Sequence, residues 1–490
     1  MVNVIKLRKG LDIRLKGVAG HQDVPVRRGS DFALCPADYQ GVTPKVVVKE
    51  GDRVLAGDAL FVNKQFPDIR FASPVSGMVT GVVRGERRKV LAVTVKADDA
   101  IEYRDFGKSD ISGMTGGEIV SSLLAAGLFG LINQLPYAVS TNHVAQPKAI
   151  FVSAFRDMPL AADFLYELSG NEEAFQTGIS ALSKIQKVFV GINPDEEDAL
   201  GGLKDATVTV FKGKCPAGNV GVQVNNIAPV NKGETVWTVN PTAVIFIGRL
   251  FLTGKVDMRH KVALAGQNVK NPAYSEILVG QKVETLVEGR VDLDGTRLIN
   301  GNPLTGVKVT KDDYIGPHVS EVTAIPEGDH ADEMLGWILP RTNQFSANRS
   351  YFSWLMPKSR EYDCDARVKG GERHMIMSGE YDKVLPMDIY GEYLIKAIIT
   401  GDIDRQEALG IYEVSPEDFA VAEFVDSSKL QLQRIVREGL DILRRRTHDT
   451  VFLSVDGAYA LLVLCLMCSM IFQYPYIKKI IINEINKKIS

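Results

Sequence analysis

A turn cysteine, one Cys-x-x-Cys pair, seven histidines and two glycine clusters are the features on which chemistry would have to rest in this chain. Cys215-Pro216-Ala217-Gly218 places a thiol at a turn. No base or second cysteine lies near it in sequence, so an inert loop thiol is expected. Cys465-x-x-Cys468 has redox or metal spacing but is sunk in an apolar run, which does not suit a thiolate. With Cys35 and Cys364 these make five irregularly spaced cysteines, no disulfide framework, and a pattern that fits a reducing compartment. His21 has no nearby partner, His318 and His330 are separated by a loop-like stretch, and His374 follows Glu372 and Arg373 with no second histidine at ligand spacing. No H-E-x-x-H occurs, so the histidines read as solvated or structural. Gly201-Gly202 and Gly218-Asn219-Val220-Gly221 come nearest to a phosphate loop. Without a G-x-G-x-x-G in this region they read as loop glycines. No catalytic, cofactor-binding or metal residue is assigned from these features.

The elements that would position any site are clearer. The chain has 490 residues, length for three or four domains, with 45% hydrophobic and 24% charged residues. Its net charge of −3 offers no basic field for nucleic acid. The N-terminus, with neither a long apolar core nor a small-residue cleavage site, is not expected to be a signal peptide. Between Gly41 and Val95 two similar sets of short strands alternate with turns. Val46–Val48, Val54-Leu55 and Ala59–Phe61 form the first set; Val79, Val82 and Val83 follow Ser73-Pro74 in the second. Neither set can bury its apolar face alone, so together they make a flattened barrel.

These halves resemble the barrel-sandwich fold of lipoyl and biotinyl carrier domains. Carriers hold an acylated lysine on a tight hairpin tip. Here the connection from Val62 to Arg70 is long and carries Pro67, with Lys64 near its start. A solvated Lys64 on a docking platform is the preferred reading; an acyl- or biotin-type carrier using Lys64 is the alternative.

Residues 1–40 read as a β-rich lead-in with short strands at Lys9–Ile13 and Val24–Val26. From 99 to 260 the texture becomes α/β. A helix follows Gly116-Gly117-Glu118, buried strands lie at Ala149–Val152, Val188–Ile192 and Val208–Phe211, and helices at Leu160–Leu168 and Ala174–Leu182. This alternation predicts a Rossmann-like layer with a parallel sheet. Residues 261–325, rich in Gly, Asn and Asp between short strands, suit a β-grasp module. Residues 326–450 are more helical, at Tyr390–Ile399 and Leu430–Leu443, with a helix start at Ser415-Pro416-Glu417-Asp418. Trp337 and Trp354 are expected in that domain's core. The domains are thus 1–98, 99–260, 261–325 and 326–450, followed by a tail, 451–490.

This order, with Lys9–Asp12, Ser73–Gly77, Pro216–Gly218, Gly248–Gly254, Gly316–His318, Tyr381–Asp388, Gly401–Asp404 and Glu417-Asp418, resembles the A subunits of the sodium-translocating NADH:quinone reductase family over roughly 1–446. The resemblance implies a peripheral subunit, without its own redox cofactor, on the cytoplasmic face of the bacterial inner membrane. Its partners would be the other subunits, above all the membrane-embedded flavin-bearing one, and ubiquinone. NADH, flavins and Fe–S centres would belong to the complex, which reduces quinone and exports sodium. The missing glycine-rich flavin loop and Cys-x-x-Cys-x-x-Cys run agree that this chain does not carry that chemistry. It departs from the family at Asn133-Gln134-Leu135-Pro136, where two arginines precede the proline, at Cys215 in place of histidine, and at Ala422 and Asp426, where the family can carry cysteines. In the tail, 457–477 is uncharged. About twenty residues at a helical rise of about 1.5 Å span roughly 30 Å, enough for a membrane anchor. The Ile/Lys/Asn-rich end equally fits read-through into noncoding DNA.

Overall fold

The computed structural model describes residues 2–329 and 338–446. His330, Trp337, the Cys465/Cys468 pair and the anchor expected at 457–477 lie outside the described residues. The chain divides into a unit of residues 1–437 and a second of 438–490. Every strand among the described residues belongs to the first unit.

Two strands precede the barrel and belong to other sheets: β1 (Asn3–Lys6) and β2 (Gly20–Asp23). The strands expected at Lys9–Ile13 and Val24–Val26 are not formed. Gly10 and Leu11 instead donate their N–H groups to the carbonyls of Lys383 and Cys215, so this segment is tied down without a ladder. The barrel proper contains β3 (Asp31–Leu34), β4 (Pro44–Val46), β5 (Arg53–Val54), β6 (Ala59–Asn63), β7 (Arg70–Ala72), β8 (Gly77–Arg84) and β9 (Val90–Ala97). They form two antiparallel sheets, β3-β9-β8-β5 and β4-β6-β7. Leu60, Phe61, Phe71 and Val75 are sealed between them, with Tyr39 against both Phe rings. The turn glycine Gly77 is obligatory: its φ is +156°, and an added Cβ would sit 2.0 Å from the Lys96 carbonyl oxygen.

The α/β layer runs α1 (Gly116–Ala125), β10 (Ile132–Leu135), β11 (Val139–Ser140), β12 (Ile150–Ser153), α2 (Phe164–Leu168), α3 (Glu172–Ile185), β13 (Val188–Ile192), α4 (Glu197–Leu200), β14 (Ala206–Lys212), α5 (Val220–Ile227), β15 (Val236–Val239) and α6 (Pro241–Thr253). Its seven-stranded sheet has the order β1-β14-β13-β12-β15-β10-β11. The central ladders are parallel as expected, while β10 is antiparallel to both of its neighbours. Along β12 the pleat sends Ile150 and Val152 to the core shared with α3 and α6, and Phe151 to the opposite core with α5. The helix expected from Leu160 begins only at Phe164. Leu160 has φ +62°, and the Asp163 carboxylate caps the helix by accepting from Leu165 N–H at 2.9 Å. Gly221, expected in a loop, lies in the first turn of α5.

The third sheet, β19-β18-β20-β16-β17-β2, combines β16 (Arg259–Ala265), β17 (Ala273–Leu278), β18 (Thr296–Asn300), β19 (Val307–Val309) and β20 (Glu321–Pro326) with β2. It folds over α7 (Val283–Val287). Residues 338–380 are mostly turns, so the predicted helical region starts late, with α8 (Tyr381–Val384), α9 (Gly391–Thr400), α10 (Ile403–Ala408) and α11 (Ala420–Val425); residues 432–446 are also helical. Trp354 is 47% exposed rather than in a core. No helix among the described residues is long and apolar enough to cross a membrane.

Helices α3 and α6 touch through two glycines. A Cβ on Gly178 would sit 2.2 Å from the Val244 carbonyl oxygen, and one on Gly248 1.7 Å from that of Ala174. Backbone faces backbone, so the helices cannot accept even a methyl group without moving apart. Gly248→Ala is expected to destabilise the chain by ~1–3 kcal/mol, read as a lower urea midpoint at an unchanged slope.

Candidate functional site

Strand β12 has β13 and β14 on one side and β15 on the other, so the connection from β14 through α5 to β15 reverses the strand order. At such a switch point the loops leaving the carboxyl ends diverge and open a crevice. A cleft of about 770 Å³ lies there, within the size range of small-molecule sites. Ser153 and Thr238 come from the strand ends, and Arg156, Asp157 and Met158 from the loop after β12. Asn219 and Val220 open α5, Asn240 and Pro241 open α6, and Glu321, Glu417 and Arg437 close the far side.

Helix N-termini at a switch point usually attract phosphate, because their first N–H groups lack partners and the dipole is positive there. In this chain a buried carboxylate already stands beside each. Asp418 presses against the first turn of α5: a Cβ on Gly221 would sit 2.2 Å from its Oδ2. It accepts from Asn219 Nδ2 at 3.2 Å and from both the N–H and the hydroxyl of Ser415 at 2.8 Å. At the start of α6, Glu167 accepts from the Thr242 hydroxyl at 2.7 Å and pairs with Arg156 at 3.0 Å, and Arg156 also donates to Thr242. Glu167 is fully buried, so this charge is matched where water cannot reach it.

The remaining titratable groups are shifted toward neutrality. Asp157 Oδ2 accepts from Gly218 N–H at 2.9 Å, while Oδ1 is sealed from solvent with no hydrogen-bond partner. Burial pushes this carboxyl up to about 6. Burial also raises Glu321, which accepts from Ala162 N–H at 3.2 Å, and both Glu417 and Asp418. It lowers His318 to about 4, leaving a neutral ring. The cleft therefore offers amides, carboxyls whose charge burial disfavours and an apolar wall of Leu135, Phe155, Met158, Val220 and Pro241. It suits a largely neutral ligand bearing carbonyl acceptors better than a phosphate.

The residues singled out from sequence land variously. Lys64 is exposed one residue beyond β6, its N–H bonded to the Thr43 carbonyl, and not at a hairpin tip. His21 gains the partner its neighbours did not supply: Nε2 is 3.0 Å from Asp163, and the ring stacks on Tyr166 at 5.0 Å. Cys215 is buried beside Met158 and its thiol is pushed far up, first of all by burial, as an inert thiol should be. His374 is exposed. Asn133 and Leu135 line the cleft, and Arg437 holds the following turn by donating to the carbonyls of Tyr137 and Ala138. Ala422 is buried on α11, and Asp426 accepts from Ser428 and Leu430 N–H groups. Arg156 and Asp157 were missed, although a polar pair just after a buried parallel strand is the signal for this location. Glu417 and Asp418 read locally as a helix start and as part of the family pattern; in the structure Asp418 also bonds Asn219 at the start of α5.

Three family profiles match the chain: the NqrA N-terminal barrel-sandwich hybrid domain over residues 5–98, the NqrA second alpha/beta domain over 114–256, and the NQRA C-terminal domain over 261–311. Among curated relatives, the A subunit of the Na(+)-translocating NADH-quinone reductase of Serratia proteamaculans is 34% identical over 446 residues, covering 89% of this chain and 98% of its own. That of Neisseria meningitidis serogroup A is 32% identical over 455 residues, covering 90% and 100%. That of Rhodopirellula baltica is 33% identical over 451 residues, covering 90% and 98%.

Asp157 makes stability depend on pH in a defined sense. Its folded pKa lies above that of an unfolded aspartate, so its contribution is intact below about pH 4 and is lost as pH rises through about 6. Asp157→Asn keeps an acceptor for Gly218 N–H and removes the charge. The variant is expected to match the parent near pH 4 and to exceed it by ~2 kcal/mol at pH 8, measured by urea unfolding at both values.

Proposed function

The chain belongs to the NqrA family, the A subunits of the Na(+)-translocating NADH-quinone reductase, and from that membership we propose that it is a peripheral docking subunit whose cleft takes a quinone. The enzyme of which it is a subunit oxidises NADH, reduces quinone and transports sodium ions; a carrier role for Lys64 is not favoured. On this reading the chain sits on the cytoplasmic face of the membrane against the flavin-bearing membrane subunit, and the flavins, iron–sulfur centres and NADH site lie in the other subunits. The domain boundaries at 98, 260, 325 and 450 belong to the same proposal.

One observation supports the cleft's assignment: Asp418 occupies the place at the α5 N-terminus where a nucleotide phosphate would sit. A carboxylate there repels a second anion, whether from a flavin mononucleotide or a dinucleotide. A ubiquinone ring carries no charge. Its two carbonyls can accept from the Asn133 amide, and its face can lie on Phe155 and Met158.

Two experiments test this. Affinity purification of the tagged full chain from solubilised membranes is expected to bring down the reductase's membrane subunits; their absence would withdraw the docking reading. Ala161→Trp puts an indole into the cleft and is expected to weaken binding of a short-chain ubiquinone analogue by roughly tenfold, with Lys64→Arg unchanged. Equal binding by the Ala161 variant would remove quinone from this cleft.

A further inference from the structure

Residues 338–360 contain Arg341, Arg349, Lys358 and Arg360 and not one acidic residue. The same stretch exposes large apolar side chains: Phe352 at 56%, Trp354 at 47% and Leu355 at 62%, with Leu339 also in the open. These are neighbours in space. Phe352 donates its N–H to the Pro340 carbonyl at 3.0 Å, and Phe352, Trp354 and Leu355 share one turn of 3-10 helix. The Arg349 guanidinium lies 5.1 Å over the Trp354 ring, and that of Arg341 lies 5.4 Å over Tyr351.

The turn is held rigidly from beneath. Ser353, between the exposed pair, is buried, and its carbonyl accepts from the Tyr362 hydroxyl at 3.2 Å. Tyr362 pairs with Leu15 through a backbone bridge, and Phe345 wedges between Tyr362 and Phe424. A chain that turned this segment to water for its own sake would place polar residues here. Instead its internal contacts present an aromatic and aliphatic cluster outward, where exposure in water is unfavourable. The cluster has the make-up of an interface hot spot: tryptophan, tyrosine and arginine prearranged, with acids absent and one lysine among four cations.

We propose that residues 338–360 are the edge by which this chain grips another subunit of the reductase, one that offers an apolar pocket ringed by carboxylates. The inference deepens the docking reading and rests on it. Phe352, Trp354 and Leu355 fill the pocket, and Arg349 and Lys358 meet the ring of acids. A protein pocket is favoured over a lipid surface because stacked, fixed arginines serve a partner with a fixed shape, whereas headgroup attraction needs only loosely held charge.

The test is recovery of the full chain on tagged membrane subunits in detergent. The parent is compared with the triple variant Phe352→Ser, Trp354→Ser, Leu355→Ser and with the charge variant Arg349→Glu, Lys358→Glu. Each variant is expected to be recovered roughly tenfold less than the parent at an unchanged unfolding midpoint. The charge variant keeps Phe352, Trp354 and Leu355 and decides the matter if the triple variant unfolds. Recovery of a folded variant at the parental level overturns the proposal. So does a variant that is recovered normally in detergent but no longer sediments with phosphatidylglycerol vesicles, which would assign the turn to lipid. If the parent itself is not recovered, the docking reading falls and takes this one with it.

Discussion

The arrangement at the switch point depends on one carboxylate, Asp418, standing at the first turn of α5. A parallel sheet with two helix N-termini at a strand reversal is electrostatically prepared for an anion. Leaving it empty would leave N–H groups without partners in a half-dry cleft. Here Asp418, a carboxylate of the chain itself, stands at one of the two helix starts and bonds Asn219 Nδ2. Ser415 fixes Asp418 from behind through its N–H and hydroxyl, and Asn219 bridges Asp418 and the Glu417 carbonyl. The anchor that seals α5 also ties the helical segment after residue 380 to the sheet. Asn225, further along α5, bonds Glu413 and Asp388 N–H, and Asn226 bonds the Pro386 carbonyl. The start of α5 is thereby a packed junction at the rim of the cleft.

Much of this fold can be read from local patterns. Val188–Ile192 is a strand over the bounds its β-branched, apolar run implies. The turns at Gly51, Gly57 and Gly77 all have positive φ, and they divide the barrel where the sequence is punctuated. Such features depend on a few consecutive residues. What is not legible is partner choice over long separations. The pattern of Asn3–Lys6 does not say that it pairs with β14, nor that of Gly20–Asp23, all four residues exposed, that it pairs with β17. The same holds at the site. Glu167 reaches Thr242 and Asp418 reaches Asn219 across the chain. Asp163 meets His21 only because β2 is drawn to β17. Trp354 shows the opposite failure: a large aromatic is usually interior, and only the buried Ser353 beside it reveals which way this turn faces.

The long-range pairings also explain how the layers of this chain are held in register. The first 34 residues visit three sheets in turn, as β1, β2 and β3, with a backbone bridge from Leu15 to Tyr362 between the first two. Each crossing fixes one layer against the next by backbone hydrogen bonds, which tolerate side-chain change far better than a packed contact does. An exposed strand such as β2, with no apolar face of its own, is kept in register by its ladder and by Lys261 reaching Asp23 at 3.0 Å. The entropic cost of rigidity obtained in this way falls once, during folding. An interface built on it then loses little conformational freedom when it forms.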